Sequence, residues 1–218
     1  MKALPDRAAQ EPCCVPCPGG ERKRMEFESL DIEGSYRIHL TPHRDDRGFF
    51  SRSWCSDSFR AHWIDFDPVQ ANFSFTNLCG TVRGMHYQRR PRPDAKIVRC
   101  TRGRIFQVVA DIRPGSPTFG RWIATELTES NFIMAYVPPG CAQGFQSLTD
   151  NVHVEYFMGE RFDETLYAGF RYDDPLIGIK WPLPVSVVST RDLSWPPLQQ
   201  TEAAMRLKPP AEPWELRQ

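Results

Sequence analysis

The chain has 218 residues, 40% of them hydrophobic, with 27 basic and 27 acidic side chains. That is enough apolar material for one core-bearing domain, while zero formal net charge excludes a broad electrostatic footprint for nucleic acid or a membrane surface. No apolar run approaches the roughly 18 residues that span a bilayer, so the expectation is a cytoplasmic protein whose seven cysteines are reduced and whose anion sites are local.

Residues 1–24 read as a flexible N-terminal extension: a Pro/Gly-rich stretch from Glu11 to Gly20, then the charged run Glu21-Arg-Lys-Arg24. Its lone Cys14-Val-Pro-Cys17 lacks the second pair that a tetrahedral zinc site needs. From Phe27 the pattern becomes β, with a strand over Tyr36 to Leu40 and a turn at Asp45-Asp-Arg-Gly48. Ser56 is the expected N-cap of a short helix reaching His62.

Alternation then predicts strands over 69–76, 81–88, 96–101, 104–112, 121–127, 132–138 and 152–158. Phe106, Val108, Ala110 and Ile112 share an apolar face expected to form the inner wall. Pro138 to Phe145 reads as a loop, Ser189 to Asp192 as irregular, and 201–207 as a terminal helical turn within a C-terminal tail, 201–218. Many short strands and 20 prolines, about twice the usual share, indicate a single all-β domain over 25–200: a sandwich, jelly roll or small barrel with short peripheral helices.

The chemistry concentrates in Arg83-Gly-Met-His-Tyr-Gln88 and Lys96. A histidine with two nearby cations suits proton abstraction beside a carbonyl: imidazole is a base near neutral pH, and fixed positive charge stabilises the enolate oxygen. On a regular strand Arg83 and His86 face opposite sides, unless a bulge at Gly84 re-aims them. In Lys96-Ile-Val-Arg-Cys100 the alternation leaves two choices. Either Lys96 points inward, which demands a partner carboxylate, a polar cavity or an anionic ligand, or Arg99 does. Tyr156 shares a face with Val154 and Met158, which aims its phenol inward, as a core tyrosine or as a complementary acid.

The order of motifs identifies a family. Arg47-Gly-Phe-Phe50, Gln70-Ala-Asn72, Arg83 to Gln88, Lys96-Ile-Val-Arg99, Asp111-Ile-Arg113, Ser116 to Gly120, Pro138-Pro-Gly140, Asp173-Asp-Pro175, Trp181-Pro182 and Ser189-Thr-Arg-Asp192 together resemble the dTDP-4-dehydrorhamnose 3,5-epimerases over residues 27–197. The resemblance implies a homodimeric, cupin-type jelly roll that needs no metal or organic cofactor and takes a nucleotide-diphosphate sugar. It implies His86 as the base, Asp192 orienting it, Tyr156 as the acid on the opposite sugar face, and Arg83 with Lys96 at the enolate oxygen. Arg47, Phe50, Arg52, Gln70, Asn72 and Gln143 fall at substrate-binding positions.

Two departures stand out. Gln143 replaces a histidine that usually faces the sugar, and an amide cannot titrate; Arg52 replaces a glutamate that usually helps hold the nucleotide. These leave a ketoisomerase on the same scaffold, or a non-catalytic sugar-binding relative, as alternatives. A metal cupin would need clustered imidazoles, and the five histidines include no pair one residue apart.

Overall fold

A computed structural model describes residues 25–198. The expected N-terminal extension with its Cys14-Val-Pro-Cys17, and the helical turn over 201–207, lie outside the described residues. In chain order the strands are β1 (Glu26–Ser29), β2 (Tyr36–His39), β3 (His43–Asp45), β4 (Gly48–Phe50), β5 (Gln70–Thr76), β6 (Val82–Gln88), β7 (Lys96–Arg102), β8 (Arg104–Asp111), β9 (Trp122–Thr128), β10 (Ile133–Val137), β11 (Cys141–Ser147), β12 (Val152–Met158) and β13 (Tyr167–Gly169). Two short helices, α1 (Ser56–Arg60) and α2 (Thr190–Leu193), complete the set.

Two antiparallel sheets make the jelly roll, of the cupin type that the resemblance implies. One has six strands in the order β1-β2-β10-β7-β12-β5, the other five in the order β13-β6-β11-β8-β9, and β3-β4 is a separate hairpin turning at Asp46-Arg47. The alternation that predicted the strands also orients them. In β12, Val154, Tyr156 and Met158 point one way and Glu155 the other, where it meets Arg99 of β7 at 2.6 Å.

The apolar surface is buried in three layers. Val98, Ile105, Val109, Leu127 and Val154 fill the space between the sheets. Met85, Val108, Ala110 and Ala142 form the outer face of the five-stranded sheet, covered by Phe170, Ile177, Ile179 and Leu198. Ile38, Ile97, Met134 and Tyr136 form the outer face of the other sheet, covered by Phe59, Ile64 and Phe66. Each large apolar side chain so buried contributes about 1.5–3 kcal/mol before chain entropy is set against it.

This layering corrects the reading of β8. Phe106, Val108, Ala110 and Ile112 do share a face, but it is the outer one beneath the C-terminal segment. The inter-sheet face of β8 carries Ile105, Gln107, Val109 and Asp111. A strand covered on both sides loses the contrast that tells inside from outside.

Three further expectations shift. Pro138 to Phe145 is not a loop throughout, because Cys141–Ser147 forms β11 between β6 and β8. The N-cap of α1 is Cys55 rather than Ser56, and the helix ends at Arg60, two residues short of His62. Trp63 takes a left-handed φ of 59°, and the Ile64 N–H returns 3.0 Å to the Phe59 carbonyl, which closes the helix. Ser189 to Asp192 is not irregular: Ser189 caps α2, its Oγ accepting from the Asp192 N–H at 3.0 Å.

Candidate active site

The bulge that would unite Arg83 and His86 is present. Gln143 and Phe145 of β11 pair with His86 and Arg83 of β6, so an extra β6 residue is accommodated between them. Gly84 takes a φ of 120°, and a Cβ there would lie 2.7 Å from the Gly144 Cα. A Cβ on Gly144 would in turn lie 2.8 Å from the Arg83 carbonyl. Only two facing glycines allow this approach. Met85 turns into the outer core, and Arg83 and His86 line one cavity.

Two adjoining cavities of about 380 and 300 Å³ share His86, Gln143, Tyr156, Tyr167 and Arg191. Arg83 and Asp192 line the first, while Lys96, Gln70 and Asn72 line the second. His86 projects from β6 of the five-stranded sheet, Tyr156 and Lys96 from β12 and β7 of the six-stranded sheet. Base and phenol therefore approach from opposite walls.

Asp192 is buried and receives the His86 Nε2 at 2.7 Å on one oxygen and the Gly84 N–H at 3.1 Å on the other. A carboxylate only accepts, so the shared proton sits on Nε2 and Nδ1 keeps the lone pair that a base requires. Burial pushes the Asp192 carboxyl up, but the hydrogen bonds from His86 and Gly84 hold it below its ordinary range.

The choice left open at Lys96 is resolved: it points inward, with its side chain 10% exposed and Nζ 2.7 Å from the Asp94 Oδ2. Burial raises the Asp94 carboxyl despite Lys96 and the Glu160 N–H. Burial also raises the Tyr156 phenol, partly offset by Arg83, so it stays protonated at neutral pH, as a proton donor must. Arg83 bridges to β5, donating from Nε to the Thr76 Oγ1 at 3.0 Å and from Nη2 to the Phe75 carbonyl at 2.9 Å. Gln70 donates to Asn72 at 3.1 Å beside the second cavity.

Three expected binding residues are not gathered here. Arg47, Phe50 and Arg52 lie on or beside the β3-β4 hairpin, exposed and outside both cavities. Arg47 is tied to Asp45 at 2.6 Å, and Phe50 is 71% exposed. Four lining or supporting residues escaped the sequence reading: Asp94, Gln107, Tyr167 and Arg191. Asp94 had a signal, since a partner carboxylate is one of the three arrangements that an inward Lys96 allows and Asp94 lies two residues away. Tyr167, whose ring centre is 5.3 Å from that of His86, sits on a three-residue strand too short for alternation to show.

The carboxylate-held imidazole, the facing phenol and the buried ammonium define a jelly-roll isomerase site, able to remove a proton from carbon on one face and return one on the other. The chain belongs to the dTDP-4-dehydrorhamnose 3,5-epimerase family, whose model matches residues 29–200. The dTDP-4-dehydrorhamnose 3,5-epimerase of Sinorhizobium fredii is 39% identical over 181 residues, 83% of this chain and 93% of its own. The solved epimerase of Mycobacterium tuberculosis superposes with a TM-score of 0.80 at 35% identity, covering 84% of this chain and 93% of that one. A 3′-monoepimerase of Streptomyces bikiniensis, solved with dTDP-quinovose, gives 0.75 at 32% identity, covering 82% and 90%.

Proposed function

We propose that this enzyme inverts C3, C5 or both of a nucleotide-linked 4-keto-6-deoxyhexose, with His86 as base and Tyr156 as acid. The observation that carries the reading is that these two side chains reach one cavity from opposite sheets. The C4 carbonyl acidifies the neighbouring C–H, and His86 Nδ1 takes that proton. Asp192 balances the imidazolium that results. Lys96 and Arg83 stabilise the enolate oxygen, where a preorganised donor typically contributes about 3–4 kcal/mol. Tyr156 delivers a proton to the opposite face, and the centre is inverted. Every step uses side chains alone.

The proposal extends to assembly. Arg47, Phe50 and Arg52 sit on an exposed hairpin away from their own cavity, so their binding role is served by reaching the cavity of a second copy in a homodimer. The four described cysteines are all unpaired, which fits a cytoplasmic setting.

The test is proton NMR of dTDP-4-keto-6-deoxyglucose with the enzyme in deuterated water. Deuterium is expected to replace hydrogen at C3, C5 or both, and His86→Asn is expected to stop it. Absence of exchange with this and other nucleotide ketosugars would overturn the proposal. A product with its carbonyl moved to C3 would assign the ketoisomerase instead.

A further inference from the structure

Gln107 is 1% exposed and faces the space between the sheets, where an apolar residue would pack without polar cost. Its Nε2 donates to the Val108 carbonyl at 3.3 Å and to the Gln143 Oε1 at 3.0 Å. Its own Oε1 is buried with no hydrogen-bond partner. A side chain kept at the expense of an unsatisfied oxygen is doing something that packing does not explain.

The geometry fixes the direction of both amides. The Val108 carbonyl only accepts, so the end of Gln107 beside it is the NH2. That same NH2 meets Gln143, so the atom of Gln143 facing it is the oxygen. The Gln143 NH2 is left to face the cavities, which Gln143 lines on both sides, opposite His86 in the strand register. We propose that Gln107 is a positioning residue that locks Gln143 as a one-way, uncharged hydrogen-bond donor, and that this donor selects the carbonyl oxygen of the hexose, which can only accept. The inference rests on the nucleotide-sugar reading above and names which part of that ligand the amide pair grips.

Gln107→Glu tests it by reversing the lock. A carboxylate beside Gln143 accepts rather than donates, so Gln143 turns its NH2 toward position 107 and its oxygen toward the sugar. Titration calorimetry with dTDP-4-keto-6-deoxyglucose, in a His86→Asn background that does not turn it over, is expected to show roughly tenfold weaker binding, with dTDP alone unchanged, because an acceptor then faces a carbonyl that can only accept. In turnover with His86 intact the loss is expected in kcat as well as in KM, because the carbonyl oxygen gains charge as the enolate forms. Gln107→Leu removes the lock without reversing it, and in the same background is expected to weaken the keto sugar by about threefold while leaving the Tm unchanged or higher. Equal affinity for the keto sugar with and without Gln107→Glu, or a parallel loss of both ligands, would overturn the inference. Wild-type protein that binds neither ligand would instead refute the nucleotide-sugar reading, and this inference with it.

Discussion

In the proposed mechanism His86 is the base, and Asp192 decides which of its nitrogens keeps the proton. Asp192→Asn preserves the shape but lets an amide NH2 face the imidazole, favouring the wrong tautomer. We expect kcat to fall about 10²–10³-fold with little change in KM, read by steady-state kinetics. Lys96 and Asp94 combine two effects that substitution can separate. Lys96→Met should slow proton exchange by about 10²–10³-fold and also cost about 3 kcal/mol of stability, because Asp94 is left buried without its counter-charge. Adding Asp94→Asn should restore much of the stability in urea unfolding but none of the rate. That an inward Lys96 needs a carboxylate, a polar cavity or an anionic ligand was legible in the sequence, although its direction and its partner Asp94 were not. Gln107 left no such trace, because one polar residue in a doubly covered strand does not say which face it occupies.

The β6-β11 contact shows what local pattern conveys and what it misses. A glycine between Arg83 and His86 announced the possible bulge, while the facing Gly144 and the Pro138-Pro-Gly140 turn hid a central strand behind loop-like composition. Gly84→Ala should lower stability by at least about 2 kcal/mol and abolish exchange, because its Cβ would meet the Gly144 backbone at a positive φ. A second device closes β8 onto β9. Asp111 accepts from the Arg113 Nε at 3.0 Å and from the Ser116 and Thr118 hydroxyls at 2.6 Å each. Burial raises this carboxyl, but the hydrogen bonds outweigh it and bring it from 3.8 to about 2. A depressed folded-state value means that the contribution, about 2 kcal/mol, is complete above pH 4–5 and is lost as pH falls toward 2. Unfolding free energies of wild type and Asp111→Asn should therefore differ at pH 7 and converge only as pH falls to about 2 and below.

The two sheets bury three apolar layers, and His86, Tyr156, Lys96 and Gln143 bring polar groups from both sheets to the adjoining cavities. Strand alternation predicted which way Tyr156 points, but not which strand faces it. That depends on a topology in which β6 and β12 lie in different sheets, set by contacts distant in sequence. The β3-β4 hairpin bears on assembly. If Arg47 and Phe50 serve a second copy, then mixing Arg47→Ala with His86→Asn should regenerate about a quarter of wild-type activity at equal amounts after random reassortment, since half the dimers are mixed and each holds one intact site. Lack of any recovery in a mixture shown to exchange subunits would place the hairpin outside the site.

The central claim is that proton removal and proton return belong to different walls of the cavity, and Tyr156→Phe addresses it directly. In deuterated water, the NMR ratio of inverted to uninverted deuterated sugar separates the two events. We expect Tyr156→Phe to keep His86-dependent deuterium uptake within about tenfold of wild type while inversion drops at least 10²-fold. Inversion at the wild-type rate, or loss of uptake and inversion in equal measure, would contradict the account.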